Sequence, residues 1–139
     1  MHIKRGFSSK RYVTLSRKIS HINGLQALNK ITMKRYGSVI RVAPGKLEEY
    51  KRLHAAVWPS VLKTIYDCNL RNYSIYYRDG YLFSYYEYIG TDYAADMARM
   101  AADPETQRWW TFCEPCQDPL ENRAQGEWWA SMEEVFHVD

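Results

Sequence analysis

The stretch from Leu70 to Ile89 constrains the fold more than any other part of the chain. Leu70 to Tyr77 and Tyr81 to Ile89 are two β-rich runs dense in tyrosine, and between them stands Arg78-Asp79-Gly80. An Asp-Gly step flanked by such runs is among the strongest short-range hairpin signals, because both central residues of the tight turn need φ > 0. The middle of the chain is thereby committed to an antiparallel pair, and the flanking segments must extend that pair or cover one of its faces.

Those segments supply both. From Gly37, Ser-Val-Ile-Arg-Val-Ala alternates around Val39 and Arg41 and stops at Pro44-Gly45, which reads as a first strand. A helical pattern follows from Lys46 to about Asp67, with Leu53, Val57, Val61 and Ile65 recurring every four residues as a core-facing stripe. Pro59 removes a backbone donor and clashes with the preceding turn, so the helix is expected to kink or restart at Trp58-Pro59 and run on to Cys68. Beyond the hairpin, Thr91 or Asp92 can cap a helix reaching Ala102, and Asp103-Pro104-Glu105 opens another with proline in its favoured first turn. Gln117 to Gly126 reads as loop, and Ser131 to Val138 as a fourth strand. The order β-α-β-β-α-β is that of the ferredoxin-like split β-α-β motif, an α+β arrangement with a four-stranded antiparallel sheet and its helices on one face. The other face, rich in Tyr and Val, needs a second copy or a ligand to cover it, and function is expected on that open face.

Charge divides the chain at its start. Residues 1–35 hold nine Lys and Arg and no acid, against ten basic and sixteen acidic residues in 36–139. Residues 1–35 therefore read as a basic, disordered leader with the compositional marks of a transit peptide, and residues 36–139 as a single domain. The acidic body has no Lys/Arg stripe on which a phosphate backbone could release counterions, so nucleic acid is not an expected partner. No apolar run approaches the ~20 residues of a membrane span, and three cysteines are too few and odd in number for a disulfide scaffold. A cytoplasmic protein is expected, with organelle targeting by the leader as the variant.

The chemistry-bearing residues cluster on the first helix and the hairpin. Tyr50 and His54 lie four apart and so are neighbours on one helical face, with Trp58 a further turn on. His54 stands one residue, about 100 degrees, round from Leu53, so its ring borders the core and opens to a cavity. His54 and His137 are the body's only histidines, the residue type suited to carrying protons near neutrality. Tyr73, Ile75 and Tyr77 share one strand face. With twelve tyrosines and five tryptophans in 139 residues, the chain has amphipathic walls with hydroxyl handles, which suit a neutral polyol. Trp109 and Trp110 are adjacent on a helix and point about 100 degrees apart, so one of them is expected to line a pocket. Trp128 and Trp129 precede the last strand, where alternation sends them to opposite sides and favours packing. Cys113-Glu-Pro-Cys116 lacks the second ligand pair that zinc needs and follows a helix, whereas a redox C-x-x-C opens one, so no metal site is assigned. Phosphate-cradling glycine loops, Gly-x-Ser-x-Gly elbows and paired-acid metal motifs are missing from the sequence.

Glu49-Tyr50-Lys-Arg-Leu-His54-x-x-Val-Trp58-Pro59, Asn72-Tyr73-x-Ile75-Tyr76, Gln107-Arg108-Trp109-Trp110 and Glu134-Val135-Phe136-His137, in that order, resemble the L-rhamnose mutarotase family from Tyr36 to the C-terminus. The resemblance implies a dimeric α/β barrel formed by a homodimer, needing no cofactor, that interconverts the α and β anomers of a 6-deoxy sugar. It implies His54 as proton donor and Tyr50, Tyr73, Trp109 and Trp110 as sugar-binding residues. Ser60 after the Trp-Pro, the stretch 123–129 with its second tryptophan pair, and the leader lie outside the family pattern. The rival reading is a non-catalytic or haem/oxygenase-type dimeric α/β-barrel binding protein, in which His54 is a ligand or structural.

Overall fold

The computed structural model describes residues 32–139. The expectation of a disordered leader therefore falls, through residue 31, outside the described residues. Strand β1 (Lys34–Val42) is followed by helices α1 (Leu47–His54) and α2 (Pro59–Asp67), strands β2 (Leu70–Arg78) and β3 (Tyr81–Tyr88), and helices α3 (Tyr93–Ala102) and α4 (Pro104–Cys113). A 3₁₀ turn (Glu114–Cys116) then leads to β4 (Gln117–Asp118), and β5 (Ala130–Met132) comes last.

The local signals act as their chemistry requires. Asp79 and Gly80 both have positive φ, at 49° and 87°, and close the β2–β3 hairpin. Pro59 restarts the helix: α1 ends at His54, Trp58 is extended, and Pro59 takes the first position of α2. Asp92 accepts a hydrogen bond from the Ala95 amide and Asp103 one from the Thr106 amide, so each caps its helix.

The sheet runs in the order β2-β3-β1-β4, with every pair antiparallel and β5 also on β1. Strand β1 begins at Lys34, ahead of the Gly37 start expected from alternation, because Lys34 and Arg35 pair with Tyr88 and Glu87. The fourth position differs from the expected strand over Ser131 to Val138. It is split in two: Asp118 pairs with Arg41, the chain leaves the sheet over residues 119–129, and Ala130 to Met132 resume on Val39 to Gly37. Beyond Met132 the chain has no ladder partner among the described residues, and its contact with β1 passes to side chains, the Arg35 guanidinium donating to Glu134. Gln117 and Asp118, read as loop, are thus the first half of the fourth strand.

One face of the sheet carries Ile40, Leu82, Leu70 and Tyr88, all buried. Ile40 and Leu82 pack with Tyr50 and Cys116, and Val61 packs with Trp109 and Cys113. Leu70 and Tyr88 pack with Cys68 against Ile65, Met97 and Met100. All four helices therefore cover this face. The opposite face leaves Tyr76 and Tyr81 exposed, at 65% and 40%.

Candidate functional site: a tyrosine and tryptophan cavity under the helices

A cavity of about 670 Å³ lies between the sheet and the helices, within the range of small-molecule sites. Tyr50 and His54 from α1, Tyr73 from β2, and Trp109 and Trp110 from α4 all line it, so all five residues singled out in the sequence meet in one space. It opens on the helix-covered face. The five candidate residues thus gather on the helix-covered face, where Tyr50 is buried, whereas the sequence placed function on the uncovered face.

His54 is held on two sides. Its ring stacks on Tyr50 with centroids 4.1 Å apart, and Trp109 presents an edge at 5.6 Å. Its Nδ1 is 3.0 Å from the Tyr50 carbonyl oxygen. A carbonyl only accepts, so Nδ1 carries the proton and Nε2 is left with the free lone pair. Desolvation in the half-buried site pushes the imidazole pKa below its usual value near 6.5, with the Tyr50 carbonyl opposing in part. The ring is thus neutral at pH 7, in a known tautomer.

Tyr73 reaches the cavity on the same strand face as Ile75, and an irregularity just before it brings Leu70 to that side as well. On a regular strand, Leu70 and Ile75, five apart, face opposite ways. Here Arg71 pairs with Glu87 and Ser74 with Tyr85, so Asn72 and Tyr73 together oppose Tyr86. Asn72 takes φ 49°, a left-handed conformation that asparagine tolerates, and the bulge puts Leu70, Tyr73 and Ile75 on the same side. The Tyr73 ring is 42% exposed along its flank, yet burial of its hydroxyl end pushes that pKa up to about 12. Its ring meets Tyr86 edge-on at 5.3 Å.

The Trp109 ring is 5% exposed and packed by Val61 and Cys113, whereas Trp110 is 36% exposed at the cavity rim, in keeping with their helical separation. The Cys113 and Cys116 thiols are free and buried, and burial pushes Cys113 up to about 12, far from a reactive thiolate. Among the described residues no three His, Cys, Asp or Glu side chains stand together as a metal-binding group. Nor is any described helix long and apolar enough to cross a membrane.

Several lining residues escaped sequence reasoning. Ser38 and Ser84 are cross-strand partners whose hydroxyls lie 2.6 Å apart in the sheet wall. Gln117, Trp128 and Trp129 also line the cavity. Trp129 packs on the Ile40 and Tyr50 cluster, while Trp128 donates from Nε1 to Gln117 Oε1 at 2.8 Å. Alternation from β5 puts the tryptophans on opposite sides only if both belong to a strand, and both stand in the 119–129 excursion instead.

A curled antiparallel sheet with four helices on one face, enclosing a pocket of aromatic rings and hydroxyls, is a half-barrel of the α/β-barrel class built for a small polar ligand. Residues 35–138 match the L-rhamnose mutarotase family profile, and the chain belongs to that family. The L-rhamnose mutarotase of Phocaeicola vulgatus is 32% identical over 109 residues, covering 77% of this chain and all of the relative. That of Oceanobacillus iheyensis is 30% identical over 107 residues, with the same coverage. Two solved structures share the fold at a TM-score of 0.59 each. An L-rhamnose mutarotase from Formosa agariphila is 20% identical, with 76% of this chain and 99% of that one covered. The tetracenomycin F2 cyclase of Streptomyces glaucescens is 11% identical, with 76% and 97% covered. At such identities these two speak for the fold alone.

Proposed function

We propose that this chain is a mutarotase that interconverts the α and β anomers of L-rhamnose or a related 6-deoxy sugar in the cavity beneath its helices. The observation that carries the reading is the state of His54: neutral, with its proton fixed on Nδ1 by the Tyr50 carbonyl and Nε2 free. Membership of the L-rhamnose mutarotase family supports the substrate class.

In this mechanism His54 Nε2 takes the proton of the anomeric hydroxyl. The O–H electron pair becomes the second bond of the aldehyde, the bond from carbon one to the ring oxygen breaks, and the ring oxygen takes the proton back from the imidazolium. Rotation of the aldehyde and the reverse steps close the ring on the other face, so protons balance and no cofactor is consumed. His54 thus serves as base and then as proton donor within one turnover. General acid-base assistance of about 10²- to 10⁴-fold, with positioning, suffices for a reaction that already proceeds in water. Tyr50 and Tyr73 orient the sugar hydroxyls, and Trp109 and Trp110 cover its C–H faces. The deoxy methyl group fits an aromatic wall that would satisfy no hydroxyl, which favours rhamnose over its 6-hydroxy counterpart by about 10²-fold at most.

The experiment is anomer exchange by saturation-transfer NMR on rhamnose. Acceleration by the wild-type chain that is lost in His54→Gln supports the reading, and equal rates with and without the wild-type protein contradict it. We further propose that two copies pair through the outer sheet face. Its exposed Tyr76 and Tyr81, together with Val135, Phe136 and Val138 of the C-terminal segment at 72% exposure or more, are the kind of apolar surface that a second copy covers. Light scattering on the full chain is expected to give about twice the monomer mass.

A further inference from the structure

The excursion over residues 119–129 belongs neither to the ferredoxin-like plan nor to the four motifs that carry the family likeness, yet its end enters the cavity. Trp128 and Gln117 stand at its two ends, and the hydrogen bond between them closes its neck. Glu127 adds a second closure by accepting from the Ser131 hydroxyl and the Ala124 amide.

The clasp has a consequence for orientation. An amide side chain can be turned either way, but an indole N–H only donates, so the Gln117 atom facing Trp128 must be its oxygen. The amide nitrogen then faces away from Trp128 with two N–H donors to place. Gln117 approaches the Tyr50 hydroxyl without completing a hydrogen bond to it. That hydroxyl belongs to a side chain only 4% exposed, and it has no partner at all. A buried hydroxyl left unpaired costs a fold stability, a cost that a ligand completing the bond removes. An amide donor of half-buried Gln117 and the unpartnered Tyr50 hydroxyl, able to accept or donate, thus stand near each other at one wall of the cavity.

We propose that Gln117, set by Trp128, is a specificity-determining residue that donates its amide N–H to one sugar hydroxyl, which the Tyr50 hydroxyl also engages. Trp128 is a positioning residue acting through Gln117. The proposal rests on the mutarotase reading and adds to it how the sugar is told from its analogues. A site built to hydrogen-bond a hydroxyl rejects the analogue lacking it far more strongly than an apolar wall rejects an added one.

The test uses L-rhamnose and its 2-, 3- and 4-deoxy analogues, with binding and anomer exchange both read by NMR on the full chain. The wild type is expected to bind one of the three analogues at least about 10-fold more weakly than rhamnose, as the loss of one hydrogen bond implies. Gln117→Ala is expected to weaken rhamnose binding by about the same factor, with kcat nearly unchanged, and to leave binding of that one analogue as it was. Gln117→Glu keeps the acceptor for Trp128 and loses the donor, so it is expected to behave as Gln117→Ala while remaining folded. Trp128→Phe is expected to raise KM several-fold alone and to add nothing in the Gln117→Ala background. Equal weakening of rhamnose and all three analogues by Gln117→Ala, or additive effects of the two substitutions, overturns the proposal. A wild-type chain that neither binds nor exchanges rhamnose overturns the functional reading with it, whereas variant results departing from these, beside an active wild type, overturn the proposal alone.

Discussion

The cavity has a helical wall and a strand wall, and they are built by different means. Tyr50, His54, Trp109 and Trp110 stand on α1 and α4, where the 3.6-residue period alone decides which way each side chain faces. Tyr73, Gln117 and Trp128 reach the same space from the sheet side: Tyr73 and Gln117 from paired strand residues beside breaks in regular structure, the bulge at Asn72 and the departure after Asp118, and Trp128 from the excursion itself. The helical wall carries the proton chemistry of our account. In the same account recognition is shared, with Tyr50, Trp109 and Trp110 meeting the sugar from the helices and Tyr73 and Gln117 from the sheet side. On this account the helical wall places the proton-carrying group, and the strand wall adds contacts to the sugar alone.

The sharpest way to break this division is at His54. His54→Gln keeps polarity and rough size but cannot carry the proton, so kcat is expected to fall by about 10²- to 10⁴-fold with little change in KM or melting temperature, read by NMR exchange and thermal denaturation. A comparable kcat loss from any strand-wall residue would erase the distinction.

Within the helical wall the two adjacent tryptophans are expected to separate cleanly. Trp109→Ala empties a buried site and is expected to cost about 3–5 kcal/mol of stability in denaturant titration. Trp110→Ala, at the rim, is expected to cost under about 1 kcal/mol while weakening rhamnose binding. Similar stability losses from both would mean that neither ring is free to serve a ligand.

The strand wall is tested at its bulge. Asn72→Val forces a β-branched residue into a left-handed conformation, at a cost of about 1–2 kcal/mol, and is expected to raise KM by disturbing the backbone next to Tyr73. Asn72→Gly is expected to leave KM alone. The smallest effect is expected at Tyr50, where Tyr50→Phe removes the unpaired hydroxyl. The ligand-free protein should gain up to about 1 kcal/mol of stability and bind rhamnose more weakly, which calorimetry with and without sugar can read.

The same division explains what could be read from the sequence. The hairpin at Asp79-Gly80, the caps Asp92 and Asp103, the restart at Pro59 and the His54–Tyr50 pair all depend on residues within a turn or two of each other, so their chemistry is local. The bulge that brings Leu70 to the side of Tyr73 is settled by which residues of β3 oppose it, and the split of the fourth strand by its pairing with β1, both of them distant in sequence. Gln117 looked like loop because a two-residue strand has no alternation to detect. Its one signal was a polar residue standing after the buried Cys116, with a tryptophan pair ahead of the next strand. The open sheet face and the cavity part for a related reason: an exposed apolar face marks a surface to be covered, while the candidate residues gather in the desolvated interior that the helices supply.

The most direct measurement of the central claim is the rate of rhamnose anomer exchange as a function of pH with the wild-type chain. Burial lowers the His54 pKa below the unfolded value near 6.5, so the neutral, base-competent form dominates at pH 7 and is lost as pH falls through the lowered folded pKa. The expected result is acceleration that is flat around neutrality and declines only on the acid side, below pH ~6.5, with the limb absent in His54→Gln. Acceleration that instead grows as His54 is protonated, or that survives undiminished in His54→Gln, would contradict the account.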